Sequence, residues 1–368
     1  MDISKITTPT LLLDKTTCIN NIKQMAEKAK INNVIFRPHF KTHQSLPIAK
    51  WFKKFGVKKI AVSSLQMADY FVHDNWKDIT LAFPVNIREI DHLNELSEEI
   101  QLNITVENNE SVKFLKENLK YPVGFFIKID TGYNRTGIIS DNLDLIDQIL
   151  NETKNSELLN FAGFLTHAGH TYHAKSKKEI NHIFNTSIEQ LNVLKQRYKN
   201  TYPELILSYG DTPSCSLVGD FMGINEIRPG NFVFYDYMQF KLGSCDFDQI
   251  AVCMACPVVA IHKERNEIII HGGAVHFSKE FIENSENKIF GQIVLLDKNG
   301  WHKADNNAYL TKLSQEHGTI KATQDFINTI KIGDLIGVIP VHSCLTANLM
   351  KGYLTTDNEW IDHFSGSK

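Results

Sequence analysis

Over the first 240 residues, short β-branched or aromatic runs alternate with segments whose apolar residues recur every three or four positions. The runs fall at 33–38, 58–64, 78–84, 103–107, 123–130, 158–167, 204–210 and 231–236, which predicts eight strands. Between them, 179–198 carries Ile180, Ile183, Phe184, Ile188, Leu191 and Leu194 at helical spacing, and a helix over 18–31 precedes the first strand. Eight strand–helix units predict a parallel (β/α)8 barrel of the TIM type, because parallel neighbours need helical crossovers and eight strands close around a filled interior. The competing arrangement is an open doubly wound sheet. Beyond Phe240 the pattern turns strand-like at 250–262, 267–272, 288–297 and 334–342, with little helical periodicity. The chain is therefore expected to divide into a barrel over 14–240 and an all-β domain over 241–368, which the 1–13 strand joins.

The composition narrows the class. The 368 residues are 42% hydrophobic and 22% charged, as in soluble globular proteins. Lys and Arg number 39 against 42 Asp and Glu, a net charge near −3 that gives no electrostatic reason for a nucleic-acid or membrane partner. The longest apolar run, 251–261, is far short of the ~20 residues that span a bilayer. The opening MDISKITTPT lacks a basic-then-apolar signal. Six scattered Cys do not read as a disulfide framework, so reduced thiols and a cytoplasmic location are expected.

Barrels of this kind place their chemistry at the carboxyl ends of the strands. The first strand ends in Arg37-Pro38-His39-Phe40-Lys41-Thr42-His43, where alternation puts Arg37, His39 and Lys41 on one face. A lysine at a barrel mouth beside cationic neighbours can serve as an amine nucleophile; a snorkelling surface lysine is the plain alternative. The fifth strand runs into Lys128-Ile129-Asp130-Thr131-Gly132-Tyr133-Asn134-Arg135, whose glycine turn lets Arg135 fold back towards a phenolate or carboxylate. The sixth ends in His167-Ala168-Gly169-His170-Thr171-Tyr172-His173, a cluster open to metal ligation, ring stacking or acid catalysis. The seventh ends in Gly210-Asp211-Thr212-Pro213, with Thr212 placed to cap a helix whose free N–H groups suit a phosphate. An amine, a phosphate cup and a ring-stacking surface together suit pyridoxal 5'-phosphate.

In the β-rich region His342-Ser343-Cys344 offers an imidazole and a thiolate on one side of an extended segment, a pair suited to Zn2+ with positions left open for substrate. A buried His and Cys in a sheet core would look the same. Cys253-Met254-Ala255-Cys256 is a weaker competitor, since its thiols face opposite ways.

Taken together, the Arg37–His43, His167–Tyr172, Ser208–Pro213 and His342–Cys344 motifs resemble the D-serine dehydratase and D-threonine aldolase family, fold-type III pyridoxal phosphate enzymes related to alanine racemase. The resemblance spans essentially the whole chain and implies a homodimer with a divalent metal beside the cofactor. It assigns Lys41 as the Schiff-base lysine. His167, Tyr172, Gly210, Asp211 and Thr212 match cofactor and phosphate contacts. Arg135 is similar to the arginine near the cofactor's phenolic oxygen, Tyr235 and Asp236 match a cofactor-contacting position after the eighth strand, and His342 and Cys344 match the metal ligands. The aldolase branch tends to have Asp where this chain has Cys344, and a thiolate favours zinc. One departure stands out: the family's Asp-Ala-Gly, followed by Lys, is replaced here by His271-Gly272-Gly273-Ala274-Val275-His276. His271 and His276 are open to a structural or a substrate role.

The resemblance implies a lyase that eliminates water, then ammonia, from a small D-β-hydroxy amino acid such as D-serine. Cleavage of Cα–Cβ by an aldolase acting on D-threonine or 3-hydroxy-D-aspartate is the nearest rival, followed by racemisation. A non-catalytic cofactor carrier is a third, and the long β-rich stretch argues against it.

Overall fold

Pro38 limits the first barrel strand, because it has no N–H to give a ladder. In the computed structural model, which describes residues 1–283, 287–303 and 307–366, only Ile35–Phe36 of the expected 33–38 run is regular strand. The chain forms two compact units. One takes in Met1–Ile22, Thr42–Ile48 and Asn231–Ser365; Lys23–Lys41 and Ala49–Gly230 make up the bulk of the other.

The second of these is the barrel. Its strands are β1 (Ile35–Phe36), β2 (Lys59–Val62), β3 (Asp78–Pro84), β4 (Gln101–Val106), β5 (Val123–Asp130), β6 (Leu159–His167), β7 (Ile206–Gly210) and β8 (Glu226–Ile227). Each pairs in parallel with its sequence neighbour from β2 round to β8, and β8 pairs with β1. A parallel bridge between His39 and Ala61 closes the ring. Parallel neighbours demand crossovers, and helices supply them. Lys177–Tyr198, between β6 and β7, buries Ile180, Phe184, Ile188, Leu191 and Leu194, and Ser176 caps its start by accepting the Glu179 N–H.

The eighth strand is not where the apolar pattern placed it. Residues 231–233 form a 3-10 turn, and β8 lies upstream at Glu226–Ile227. That strand has only two residues, one of them a fully buried Glu226, so it carries no hydrophobic signature. Glu226 tolerates burial because Arg37 Nε donates to its Oε2 at 2.7 Å.

The other unit is built on a closed antiparallel ring. Its strands are β9 (Val252–His262), β10 (Glu267–His271), β11 (Gly291–Asp297), β12 (Tyr309–Leu313), β13 (His317–Lys321) and β14 (Leu335–Pro340). They pair in the order β9-β10-β13-β12-β11-β14 and back to β9. The N-terminal strand Thr10–Leu13 pairs antiparallel with β9 and parallel with Gly352–Thr355. Neither β12 nor β13 was expected from the sequence. Only Leu310 is buried in β12, and in β13 one of the two buried positions is Gly318, so their alternation is faint. Cys253 and Cys256 are buried in β9 opposite Leu12 and Ile336. Burial pushes both thiols up, which disfavours the thiolate a metal needs.

Candidate active site

Of the three residues expected on one face at the end of β1, Arg37 turns into the barrel interior. Besides the Glu226 bond, one of its terminal nitrogens donates to Asp78 Oδ1 at 2.6 Å. Lys41 is exposed, yet its charge acts inward. With burial, it holds the His39 and His167 imidazoles well below their ordinary value, so both rings are neutral. Arg228 depresses both rings further, and Arg135 also acts on His167. Lys128, buried at the end of β5, is pushed down to about 8 by burial and by Arg135, Arg228 and Lys41, with Glu107 opposing. Four cations thus crowd one end of the barrel. Their repulsion is relieved by an occupant carrying several negative charges, and a phosphorylated ring with a phenolate meets that requirement.

The ring cluster is arranged for stacking. His167 Nδ1 lies 2.7 Å from the Gly210 carbonyl, so Nδ1 carries the proton and donates, which fixes the tautomer and the plane of the ring. Tyr133 meets His167 edge-on at 5.9 Å and stacks on His170 at 6.3 Å, and the Arg135 guanidinium covers Tyr133 at 4.9 Å. No three of these groups converge as metal ligands among the described residues. Of the three roles open to the cluster, the geometry favours the stacking surface.

After β7, Asp211, not Thr212, caps the helix Thr212–Leu217, its Oδ1 accepting the Ser214 N–H at 2.6 Å. Burial raises the Asp211 carboxyl to about 6. The Thr212 N–H donates to the Tyr172 hydroxyl at 3.4 Å, which ties Tyr172 to the start of this helix. A Cβ on Gly210 would lie 3.2 Å from the Arg228 guanidinium, so a side chain there would crowd the arginine. Arg228 donates to Ser208 Oγ and to the Thr166 carbonyl, and Ser208 Oγ in turn donates to Glu226 Oε1 at 2.5 Å. A buried chain of charges, Arg37–Glu226–Ser208–Arg228, therefore underlies the cationic end.

Within the β-rich unit, His342 and Cys344 do not share an extended segment. His342 keeps an extended backbone as the N-cap of the helix Ser343–Met350, and Cys344 sits in its first turn. They still meet. Burial opposes both charges, but their mutual hydrogen bond raises His342 to about 9 and lowers Cys344 below an ordinary thiol. Thr42 Oγ1 lies 3.3 Å and Asn231 Nδ2 3.5 Å from Cys344 Sγ. Asp236 Oδ2 accepts from Asn231 Nδ2 at 2.5 Å and from the Ser343 N–H at 3.0 Å, while its Oδ1 accepts the Gln239 N–H at 2.9 Å. An imidazole and a polarised thiol held by buried donors fit a soft divalent cation. Tyr235, also in this unit, takes a left-handed backbone at φ 50°.

The barrel unit thus holds Lys41, Arg135, His167, Tyr172, Gly210, Asp211 and Thr212, whereas Tyr235, Asp236, His342 and Cys344 belong to the other. Sequence reasoning overlooked Lys128, Arg228, Thr42 and Asn231 as participants. A lysine inside an otherwise apolar β5 and an Arg before Pro229-Gly230 were the available signals.

A parallel barrel followed by an antiparallel β-barrel, with a lysine among cations after the first strand, defines an alanine racemase-like enzyme of fold type III. Residues 13–238 match the model of the alanine racemase N-terminal domain, and 251–356 match that of the putative serine dehydratase domain. The chain is 32% identical to D-serine dehydratase of Dictyostelium discoideum, with 100% of this chain and 98% of that protein covered. D-serine dehydratase of Schizosaccharomyces pombe is 25% identical over 96% of this chain and 89% of its own. D-threo-3-hydroxyaspartate dehydratase from Delftia sp. HT23 superposes with a TM-score of 0.89 at 21% identity, over 99% of each chain, and this establishes the shared fold. This protein belongs to the D-serine dehydratase and D-threonine aldolase family, and it is a D-serine dehydratase-like lyase.

Proposed function

We infer that the chain is a pyridoxal phosphate- and zinc-dependent lyase that takes a D-β-hydroxy amino acid, D-serine first, to a 2-oxo acid with loss of water and ammonia. The observation that carries this reading is the crowding of Lys41, Lys128, Arg135 and Arg228 around two neutral imidazoles, in a chain 32% identical to a D-serine dehydratase. When bound, the cofactor supplies an electron sink for a Cα carbanion, and the cation supplies a Lewis acid.

The chain's own groups do the rest. Lys41 Nζ would hold the cofactor and, when free, would receive the substrate's α-proton. Arg135 sustains the phenolate charge. The fixed His167 ring supports the cofactor's face, and Tyr172 with the Gly210-Asp211-Thr212 turn receives its phosphate. Tyr235 is assigned to the cofactor as well, whereas Asp236 spends its carboxylate on the Asn231 and Ser343 donors beside the metal ligands. His342 and Cys344 hold the cation, and the thiolate selects zinc over manganese or magnesium. Leu345, Leu349 and Val275 remain exposed in the β-rich unit, which supports a homodimer. All six cysteines are free, which fits a reducing cytoplasm, and no helix among the described residues is long and apolar enough to cross a membrane.

A product screen with D-serine, D-threonine and 3-hydroxy-D-aspartate tests this function. Release of a 2-oxo acid with ammonia is expected. Release of glycine would replace the dehydratase with an aldolase, and an inverted stereocentre alone would replace it with a racemase.

A further inference from the structure

The His271-Gly272-Gly273-Ala274-Val275-His276 stretch, which departs from the family pattern, brings its two imidazoles to a third group far along the chain. His271 ends β10, His276 lies in the helix Ala274–Phe277, and Glu316 stands in the turn between β12 and β13. Their Nε2 atoms lie 3.8 and 3.9 Å from Glu316 Oε2, and the three ligand atoms fall within 4.8 Å of one another. We propose that His271, His276 and Glu316 form a second divalent-cation site, separate from His342 and Cys344.

The backbone beneath is already tied in place. The Gly272, Ala274 and Val275 N–H groups donate to the carbonyls of Glu316, Ser314 and Gln315 at 2.8, 2.8 and 3.2 Å. A Cβ on Gly273 would lie 2.3 Å from the Gln315 carbonyl oxygen, so only glycine allows the two segments this close. Both histidines are half-buried and Glu316 is exposed, so an ion has an entry path and open positions for water. The separations of 3.8 and 3.9 Å are too long for hydrogen bonds and need to shrink only a few tenths of an ångström to approach a tetrahedral edge of roughly 3.4 Å. Two imidazoles and a carboxylate without a thiolate suit zinc, cobalt or nickel with an open coordination position.

One contact limits the affinity. Gly273 N–H donates to His276 Nδ1 at 3.1 Å, so His276 carries its proton on Nε2 when no ion is present. For Nε2 to bind the cation, the proton moves to Nδ1, and the ring then gives up the Gly273 bond. Binding in the micromolar range is therefore expected, weaker than at a site with its tautomers already set.

Cobalt(II) titration of the full chain, followed by equilibrium dialysis and visible absorbance, tests the site. A His342→Ala/Cys344→Ala variant should retain one equivalent of cobalt without a thiolate charge-transfer band. Adding Glu316→Gln, at an exposed turn where folding is safe, should weaken that equivalent at least tenfold, and His271→Asn should do the same with circular dichroism unchanged. That dependence supports the site whatever the wild-type thiolate band shows. A double variant that binds no cobalt at micromolar concentration, or an equivalent indifferent to both further substitutions, overturns the proposal.

Discussion

Thr42 Oγ1 lies 3.3 Å from Cys344 Sγ across 302 residues of sequence, and Thr42 is the residue peptide-bonded to Lys41. Thr42 is fully buried, and its hydroxyl helps to hold the Cys344 thiol below its ordinary value, after the His342 bond.

Removing that hydroxyl without changing the shape isolates its effect. Thr42→Val should weaken zinc binding roughly tenfold, as expected for loss of a partner behind a metal ligand, while leaving cofactor absorbance intact. Competition with a chelator measures the first and a spectrum the second. Undiminished zinc affinity would show that the contact does not tune the thiolate.

Much of this was legible beforehand because the strands carry apolar residues in runs and the helices repeat them at turn spacing. The pattern failed where charge enters the interior. Glu226 hides β8, and Lys128 inside β5 resembles an interruption, although Glu226 is paired with Arg37 and Lys128 is one of the four crowded cations. The extended geometry expected at His342 was wrong, since the helix beginning at Ser343 brings His342 and Cys344 together by a turn. Asn231 could not be read at all: its contact with Cys344 depends on a fold that joins positions 113 residues apart.

Lys128 complicates the lysine assignment in a way that can be tested. With its ammonium at about 8, it keeps more free amine near neutrality than an ordinary lysine and lies within electrostatic reach of Lys41. Lys41→Ala is nonetheless expected to abolish the visible Schiff-base absorbance, and Lys128→Met to retain it. The reverse pattern would transfer the cofactor linkage to Lys128.

The same buried cation sets a pH dependence. Its folded value of about 8 lies below the ordinary 10.5, so between these pH values the unfolded chain holds a proton that the folded chain has released. Stability of the cofactor-free protein from this group therefore rises as pH climbs through that window and is lowest below about 8. Lys128→Met should stabilise the cofactor-free protein by up to about 3 kcal/mol at pH 7, an advantage that fades towards pH 10. Urea melts at both values decide it; an advantage independent of pH would point to packing.

Arg37 makes the opposite case. It is nine-tenths or more buried between Glu226 and Asp78, and their charges raise its value despite the cost of burial. Arg37→Met leaves the fully buried Glu226 without its main cation and should cost about 3–5 kcal/mol in urea unfolding. Adding Glu226→Gln removes the stranded charge and should recover part of the loss. No recovery would mean that Arg37 acts by filling space.

Cys344 is the one cysteine of six that is not buried, and its partner His342 favours the thiolate. The other five are buried, and burial raises Cys18, Cys215, Cys245, Cys253 and Cys256 alike. The lowered thiol, on a residue less buried than the other five cysteines, therefore makes Cys344 the most reactive sulfur of the six. Brief iodoacetamide treatment of metal-free protein should label Cys344 alone, at least tenfold faster than any other cysteine, and zinc should suppress the labelling. Peptide mass spectrometry reads both effects. His342→Ala should slow the labelling, because the neighbouring imidazole no longer stabilises the thiolate, and it should also remove the protection by zinc. Equal labelling with and without zinc would separate Cys344 from the metal, leaving the His342–Cys344 pair as a hydrogen bond of the fold.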